Sequence, residues 1–276
     1  MKARICVAQI NYLKNDPEGH IERIKSIISE YATADLIVFP ELILHGHPSS
    51  EIPEGLLYRK MRVRHTFLSQ DLYEFVRRAG ARVIIGELKK QRDKYFNVAT
   101  YIDGETVQSY TKTHVHWSEN FVAGRQLKIF NTPLGKVGIT ICFDAAFPEV
   151  WRVLALNGAE IIVNISAVPR SFPVKYMWRR IQGAALNNQV FVIYANRPGG
   201  FFSGYSAVVN PQGDIVVHAD DEEAVIQAEI DLDDLQSWRE EEVIYPNRRP
   251  LLYRNITKEG YVLPVTQTPV LSEGGR

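Results

Sequence analysis

Short apolar runs rich in β-branched residues recur along the whole chain, and they constrain its fold more than any other feature. Each run is too short for a helix. Several runs are apolar at successive positions, as expected of central strands that are covered on both faces. The predicted strands are Arg4–Gln9, Leu36–Phe39, Val83–Leu88, Val98–Ile102, Val137–Cys142, Ile161–Asn164, Phe191–Tyr194, Ala207–Val209 and Ala224–Ile230.

Helical periodicity lies between several of these strands. One amphipathic pattern runs from Ile21 to Tyr31, and a second follows Ser69, the predicted N-cap. Further helices are predicted at Glu149–Asn157, Val174–Asn187 and Leu232–Glu241. The alternation of strands and helices predicts a layered α/β fold.

The stretch Val83–Thr111 indicates three successive strands, with a tight hairpin turn at Asp103-Gly104, so mixed sheets are expected rather than purely parallel ones. The chain contains no low-complexity linker and no short-period repeat, which predicts one domain over residues 1–263. The tail 264–276 is rich in Thr, Pro, Ser and Gly. We expect this tail to be disordered or to pack on a partner subunit.

Acidic and basic residues number 32 each, so no basic excess exists to neutralise a phosphate backbone or an anionic membrane surface. Neither nucleic acid nor a membrane is therefore expected as a partner. The N-terminal segment does not resemble a signal peptide, and no run approaches the roughly 18 apolar residues of a transmembrane helix. The two cysteines, Cys6 and Cys142, fit a reducing compartment, which predicts a cytoplasmic protein.

Three reactive side chains follow the ends of predicted strands, where functional residues of layered α/β proteins tend to lie. They are Glu41, Lys112 and Cys142. A cysteine at such a position is a candidate nucleophile, a partly desolvated carboxylate a candidate base, and a fixed ammonium a candidate for stabilising a negative oxygen. Each of the three taken alone is also compatible with a structural role, the cysteine as a small buried hydrophobe.

Taken together, these motifs resemble the nitrilase superfamily of carbon–nitrogen hydrolases, whose catalytic set is Glu, Lys and Cys in that chain order. The matching segments are Phe39–Leu42, Tyr110–Val115, Gly138–Asp144 and Phe147–Glu149. Supporting stretches are Asn164–Ala167, Ala184–Asn196 and Val209–Asp214. The resemblance extends across nearly the whole chain and implies a four-layer α-β-β-α sandwich.

The resemblance also implies a mechanism in which Glu41 is the general base and Cys142 forms a thioester. Lys112 and the backbone N–H of Phe143 would bind the oxyanion, and Glu119 would support the lysine and the base. The implied substrate-binding positions are Phe143, His47 and Ala167. The resemblance also predicts a homodimer or a larger homo-oligomer, and neither cofactor nor metal is expected.

The residues that follow Cys142 favour one class of substrate over the others. Members that hydrolyse nitriles typically carry Cys-Trp-Glu, whereas this chain has Cys142-Phe143-Asp144, which favours a small-molecule amide as substrate. Many amidase-like members carry a bulky or basic residue where this chain has Ala145 or Ala146, so a roomier pocket is expected. Hydrolysis of a carbamoyl compound is the main alternative, followed by nitrile hydrolysis and by a non-catalytic binding protein of the same fold.

Two further patterns suggest other roles. His45-Gly46-His47 and His114-Val115-His116 are His-x-His pairs, which occur in zinc sites, although loop and pocket histidines are the simpler interpretation. Arg170, Arg179 and Arg180 are candidates for gripping a substrate carboxylate, with surface or helix charges as the alternative.

Overall fold

The structure, a computed structural model, describes residues 1–14, 16–47 and 60–258. Within these residues twelve strands form two six-stranded sheets, with helices outside them. The strands are β1 (Lys2–Gln9), β2 (Leu36–Val38), β3 (Arg82–Gln91), β4 (Lys94–Asp103), β5 (Thr106–Thr111), β6 (Ile129–Thr132), β7 (Gly135–Ile141), β8 (Ile161–Ser166), β9 (Phe191–Asn196), β10 (Ala207–Val209), β11 (Ile215–His218) and β12 (Ala224–Asp231). The α-helices are α1 (Pro17–Glu30), α2 (Lys60–Ala79), α3 (Pro148–Leu156), α4 (Val174–Asn188), α5 (Leu232–Glu241) and α6 (Pro250–Tyr253).

The first sheet has the strand order β12-β1-β2-β3-β4-β5, and the second has the order β11-β10-β9-β8-β7-β6. Both sheets are mixed, as predicted. In the first, β1, β2 and β3 are parallel, and in the second β7, β8 and β9 are parallel, with antiparallel strands outside each trio. The predicted hairpin also forms, because Asp103 pairs with Thr106 across a two-residue turn.

The main core lies between the two sheets, because alternate strand residues from both point inward. Ile5 and Ile84 of the first sheet belong to the same buried cluster as Ile139 and Val163 of the second. The opposite face of the first sheet packs against α1 and α2, and α3 and α4 cover the second sheet. The four-layer α-β-β-α prediction is thereby confirmed, and it explains why the strands are apolar at successive positions.

Three local predictions differ from the structure. Ser69 does not cap a helix, because α2 begins earlier and its hydroxyl donates instead to the buried carboxylate of Glu87. Strands β6 and β11 were not predicted, since each has four residues and only partial burial, and the apolar pattern is correspondingly weak.

The chain divides into two compact units, Met1–Trp238 and Arg239–Arg276. Both sheets belong to the first unit. The described part of the second contains α6 and a 3-10 turn at Arg254–Thr257. The predicted boundary at residue 263 and the tail 264–276 lie outside the described residues. Of the helices in the described residues, none has the length and apolar character needed to cross a membrane.

Candidate active site

The position of Glu41 is fixed by its backbone, which crosses over β3 beyond the end of β2. The segment Phe39–Leu44 runs across β3, where the Gly86 N–H donates to the Pro40 carbonyl at 3.2 Å and the Leu44 N–H donates to the Gly86 carbonyl at 3.1 Å. A Cβ atom on Gly86 would lie 2.4 Å from the Pro40 oxygen. Only glycine therefore permits this close approach.

Glu41, Lys112 and Glu119 form one buried ionic network. Lys112 Nζ donates to Glu41 Oε1 at 2.9 Å and to the two carboxylate oxygens of Glu119 at 3.0 and 2.8 Å. The side chains of Lys112 and Glu41 are 0% and 2% exposed. Burial alone would lower the pKa of Lys112, but the Glu41 and Glu119 charges outweigh it and raise that pKa, so the ammonium is retained.

Asn97 of β4 is a member of this network that the sequence did not reveal. Its Nδ2 donates to Glu41 Oε1 at 2.6 Å, and its backbone carbonyl accepts from the Lys112 N–H at 2.9 Å. The side chain is fully buried. The only sequence signal was a polar residue at the start of the apolar run Val98–Ile102. Asn97 therefore fixes both the carboxylate and the backbone that carries the ammonium.

The loop after β5 places Glu119 next to Lys112. The backbone N–H of His116 donates to Glu119 Oε2 at 3.1 Å, and the Gly124 N–H donates to the Lys112 carbonyl at 2.7 Å. Burial raises the pKa of Glu119, and the nearby Glu41 charge adds to that effect while Lys112 opposes it. Burial and the Lys112 ammonium lower the pKa of His116, which favours a neutral ring at this position.

Cys142 lies at the carboxyl end of β7 and opens the 3-10 turn Cys142–Ala146. Its φ of 44° places it in the left-handed region, where side chains other than glycine are strained and which recurs at functional sites. Burial raises the pKa of the Cys142 thiol well above its usual range; the Glu41 charge adds to this and Lys112 opposes it.

Asp144 ties the turn that carries Cys142 to the first sheet. Its Oδ2 accepts from the Ile141 N–H at 2.9 Å and from the Tyr110 hydroxyl at 2.8 Å. Its Oδ1 accepts from the hydroxyl of Thr113 at 2.9 Å and from the His114 N–H at 2.8 Å. This fully buried carboxylate therefore joins the cysteine turn to residues on both sides of Lys112.

A cavity of about 380 Å³ opens above these groups, a volume at the small end of the range for small-molecule sites. Glu41, Glu119 and Cys142 line its floor. Its walls and mouth are rich in large apolar side chains, among them Trp117, Phe143, Phe172, Met177, Phe201 and Phe202. Sequence reasoning named only Phe143 individually among these six, because the other five come from separate loops and one helix.

The structure brings the predicted site residues together. His47, Phe143 and Ala167 line the same cavity as Glu41, Glu119 and Cys142, and Lys112 binds both glutamates from beneath. The three arginines separate: Arg180 lines the cavity, Arg179 is exposed, and Arg170 is 3.3 Å from Asp221.

The His-x-His pairs have other partners. His45 Nδ1 accepts from the Leu88 N–H at 3.1 Å, His114 Nδ1 lies 2.9 Å from Asp144 Oδ1, and His116 Nδ1 lies 2.7 Å from the Ser118 hydroxyl. Within residues 1–14, 16–47 and 60–258, no three His, Cys, Asp or Glu side chains are placed to hold a metal ion.

Comparison with known proteins gives a consistent result. The carbon–nitrogen hydrolase family profile matches residues 4–240. A probable nitrilase of Schizosaccharomyces pombe is 30% identical over 280 residues, covering 93% of this chain and 99% of that protein. The N-carbamoylputrescine amidase of Solanum tuberosum is 32% identical over 203 residues, covering 63% of this chain and 68% of its own.

A solved structure supports the architecture. The crystal structure of a carbon–nitrogen hydrolase from Helicobacter pylori G27 superposes with a TM-score of 0.83 at 22% identity. The match covers 94% of this chain and 99% of that one. At this level of identity the likeness concerns the fold.

Proposed function

The chain belongs to the carbon–nitrogen hydrolase family, and on that premise we propose that it hydrolyses an amide bond of a small molecule through a thioester on Cys142. One observation carries the proposal: a sulfur at a strained strand end shares a cavity with a buried carboxylate–ammonium–carboxylate network. Such a set combines a nucleophile, a base and a fixed positive charge, which together suit acyl transfer.

Proton transfer to Glu41 starts the proposed reaction. Because burial raises the pKa of the Cys142 thiol, the resting group at neutral pH is the thiol and not the thiolate. A base must therefore remove the proton as the sulfur attacks. Glu41 lines the same cavity as Cys142 and is its candidate base. The S–C bond forms as the thiol proton passes to this carboxylate.

The negative oxygen of the resulting tetrahedral intermediate needs fixed donors. Lys112 supplies a buried ammonium that is already oriented by Glu41 and Glu119, so little reorganisation accompanies charge development. The backbone N–H of Phe143, next in the chain after the nucleophile, is the second proposed donor. These two donors would bind the oxygen as the carbonyl double bond opens.

Collapse of the intermediate completes the first half-reaction. Protonated Glu41 gives its proton to the departing nitrogen, the C–N bond breaks, and ammonia or an amine leaves a thioester on Cys142. A water molecule then attacks the thioester carbon while Glu41 takes one of its protons. Cleavage of the S–C bond releases the acid and, with the return of that proton to sulfur, restores the thiol.

The same steps would act on carbamoyl compounds, with a carbamate as the acid product. The Solanum tuberosum relative is named for such a substrate, and the Schizosaccharomyces pombe relative is named a probable nitrilase, so both substrate classes belong in the first assays. An amide remains the proposed substrate, because Phe143 and Asp144 follow Cys142 here in place of the Trp-Glu pair typical of members that hydrolyse nitriles.

Replacing the nucleophile tests the proposal. We expect Cys142→Ala to abolish ammonia release from a panel of aliphatic amides, dicarboxylic monoamides, carbamoyl compounds and nitriles, because Cys142 is the one cysteine among the described residues that line the cavity. Cys6→Ala is the matched control, since Cys6 is fully buried in β1 and burial raises its pKa to about 12. Intact-mass analysis of wild type quenched during turnover should show an acyl adduct on Cys142. Undiminished turnover by Cys142→Ala would refute the assignment.

The homodimer or larger assembly expected from the resemblance stays a prediction. Light scattering at working concentration tests it. A single species of 31.4 kDa would contradict it.

A further inference from the structure

One face of α4 forms a wall of the cavity, and it carries a positive charge. Arg180 follows Tyr176 by four residues and Met177 by three, so its side chain lies on the same side of the helix as theirs. All three side chains line the cavity. Of the described residues that line it, Arg180 is the only Lys or Arg. The cavity therefore has a reactive floor, apolar walls and one cationic position.

The guanidinium of Arg180 is held in place by Tyr176. Its central carbon lies 4.1 Å from the centroid of the Tyr176 ring, and one of its terminal nitrogens donates to the Tyr176 hydroxyl. Stacking and this hydrogen bond restrict a side chain that is otherwise costly to order. A planar guanidinium fixed in this way presents its other N–H groups as a fork that matches a carboxylate.

Arg180 differs from Arg170 and Arg179 in its partners and in its place. Arg170 is 3.3 Å from Asp221 and also donates to the Phe202 carbonyl at 3.0 Å, so it has acceptors within the protein. Arg179 is exposed and does not line the cavity. Within the described part of the chain, no carboxylate lies within ion-pair distance of Arg180.

The net charge at the floor of the cavity determines how a charged substrate is oriented there. Glu41 and Glu119 share the single positive charge of Lys112, so the floor carries one net negative charge when both glutamates are ionised. A carboxylate on the substrate would be repelled from the floor and attracted to Arg180. Apolar side chains such as Phe172 and Met177 line the same cavity, and they suit a short hydrocarbon spacer.

We infer that Arg180 binds a carboxylate on the amide substrate, so the preferred substrates are amides in which a short apolar chain separates the reacting group from a carboxylate. Monoamides of small dicarboxylic acids have this form. The inference rests on the proposed amide hydrolysis and adds the substrate class. Arg180 acts on selection of the substrate and not on the bond that breaks.

Paired substrates provide the test. We would measure kcat/KM for the monoamide of a five-carbon dicarboxylic acid and for the uncharged five-carbon amide. Wild type should prefer the monoamide at least tenfold, and Arg180→Met should lower the ratio of the two values by about 10- to 100-fold, chiefly through KM, since a charge-assisted contact is lost. Arg179→Met is the control and should preserve the ratio.

A charge-reversed variant adds a second readout. Arg180→Glu should favour an amide that ends in an ammonium group over the monoamide, reversing the wild-type order. A wild-type preference for the uncharged amide, or a ratio that changes less than twofold in Arg180→Met, would overturn the inference while leaving the proposed hydrolysis intact.

Binding measured without turnover separates the two proposals. Calorimetric titration of Cys142→Ala with the monoamide should give an affinity that falls at least tenfold when Arg180→Met is added. That loss would support the role of Arg180 even if no amide were hydrolysed, in which case the proposed function alone would fail. Equal affinities in the two variants would refute the role of Arg180.

Discussion

At the floor of the cavity the side chains of Glu41 and Lys112 are 2% and 0% exposed. At its mouth, Trp117 and Phe201 are 75% and 70% exposed. The floor is charged yet shielded from solvent, and the Lys112 ammonium binds both Glu41 and Glu119. The mouth is apolar yet wet, and its rings pack on one another, as Trp117 does on His116 with centroids 3.7 Å apart.

This contrast separates two tasks. Charges in a dry, pre-organised setting interact strongly and need little rearrangement, which is what stabilisation of a transition state requires. Exposed rings offer apolar area of adaptable shape, which suits the capture of a substrate. We therefore expect changes at the floor to lower kcat, and changes at the mouth to alter KM.

After the loss of Cys142 itself, the largest effect is expected for Lys112→Met. The change removes the proposed oxyanion donor and leaves Glu41 and Glu119 close together without their counter-charge. We expect kcat to fall by about 10² or more, the usual cost of losing such a donor. Steady-state kinetics would measure it, with the exposed Lys128→Met as control. A loss below tenfold would remove Lys112 from this role.

A smaller loss is expected for Asp144→Asn. An amide has only one acceptor oxygen, so donors such as the Tyr110 hydroxyl and the Ile141 N–H cannot all be satisfied. We expect a tenfold fall in kcat and a loss of about 1–3 kcal/mol in the free energy of unfolding. Chemical denaturation and kinetics would measure these. Tyr110→Phe removes one donor only and should lose less of both; an equal or greater loss would contradict the proposed role of Asp144.

The backbone crossing at β3 is tested by Gly86→Ala. Its Cβ would lie 2.4 Å from the Leu42 nitrogen, so the segment that carries Glu41 must move. We expect several-fold lower kcat and a lower melting temperature. Gly183→Ala in α4 is the control, because its Cβ would meet only Asn187 at 3.9 Å. Alanine in the helix should stabilise the control by about 0.5–1 kcal/mol. Unchanged kcat in Gly86→Ala would show that the crossing does not position the base.

The smallest effect is expected at the mouth. Trp117→Ala removes an exposed ring that packs on His116 and Phe143. We expect KM to rise a few-fold and kcat to change less than twofold, and initial-rate measurements over a wide substrate range would separate the two constants. A hundredfold fall in kcat would contradict the expectation that residues at the mouth alter KM and not kcat.

Local sequence was sufficient for every strand except β6 and β11, and for the residues at the strand ends. Glu41 and Cys142 follow apolar runs, and Lys112 follows the predicted strand that ends at Thr111, so their positions at strand ends were predictable from neighbours in the chain. Asn97 and Gly86 were not, because their contacts with Lys112 and with the segment that carries Glu41 depend on strand register and on how segments cross. Ser69 illustrates the same limit: its acceptor, Glu87, is supplied by another element.

Asp144 has a consequence for how the protein acquires activity. It connects the cysteine-bearing turn of the second sheet to Tyr110 in the first, whereas Glu41 and Lys112 both come from the first sheet. The proposed nucleophile and its proposed base therefore meet only when the two sheets pack together. In a refolding experiment, recovered turnover should lag behind the far-ultraviolet circular dichroism signal, and the lag would time the docking step.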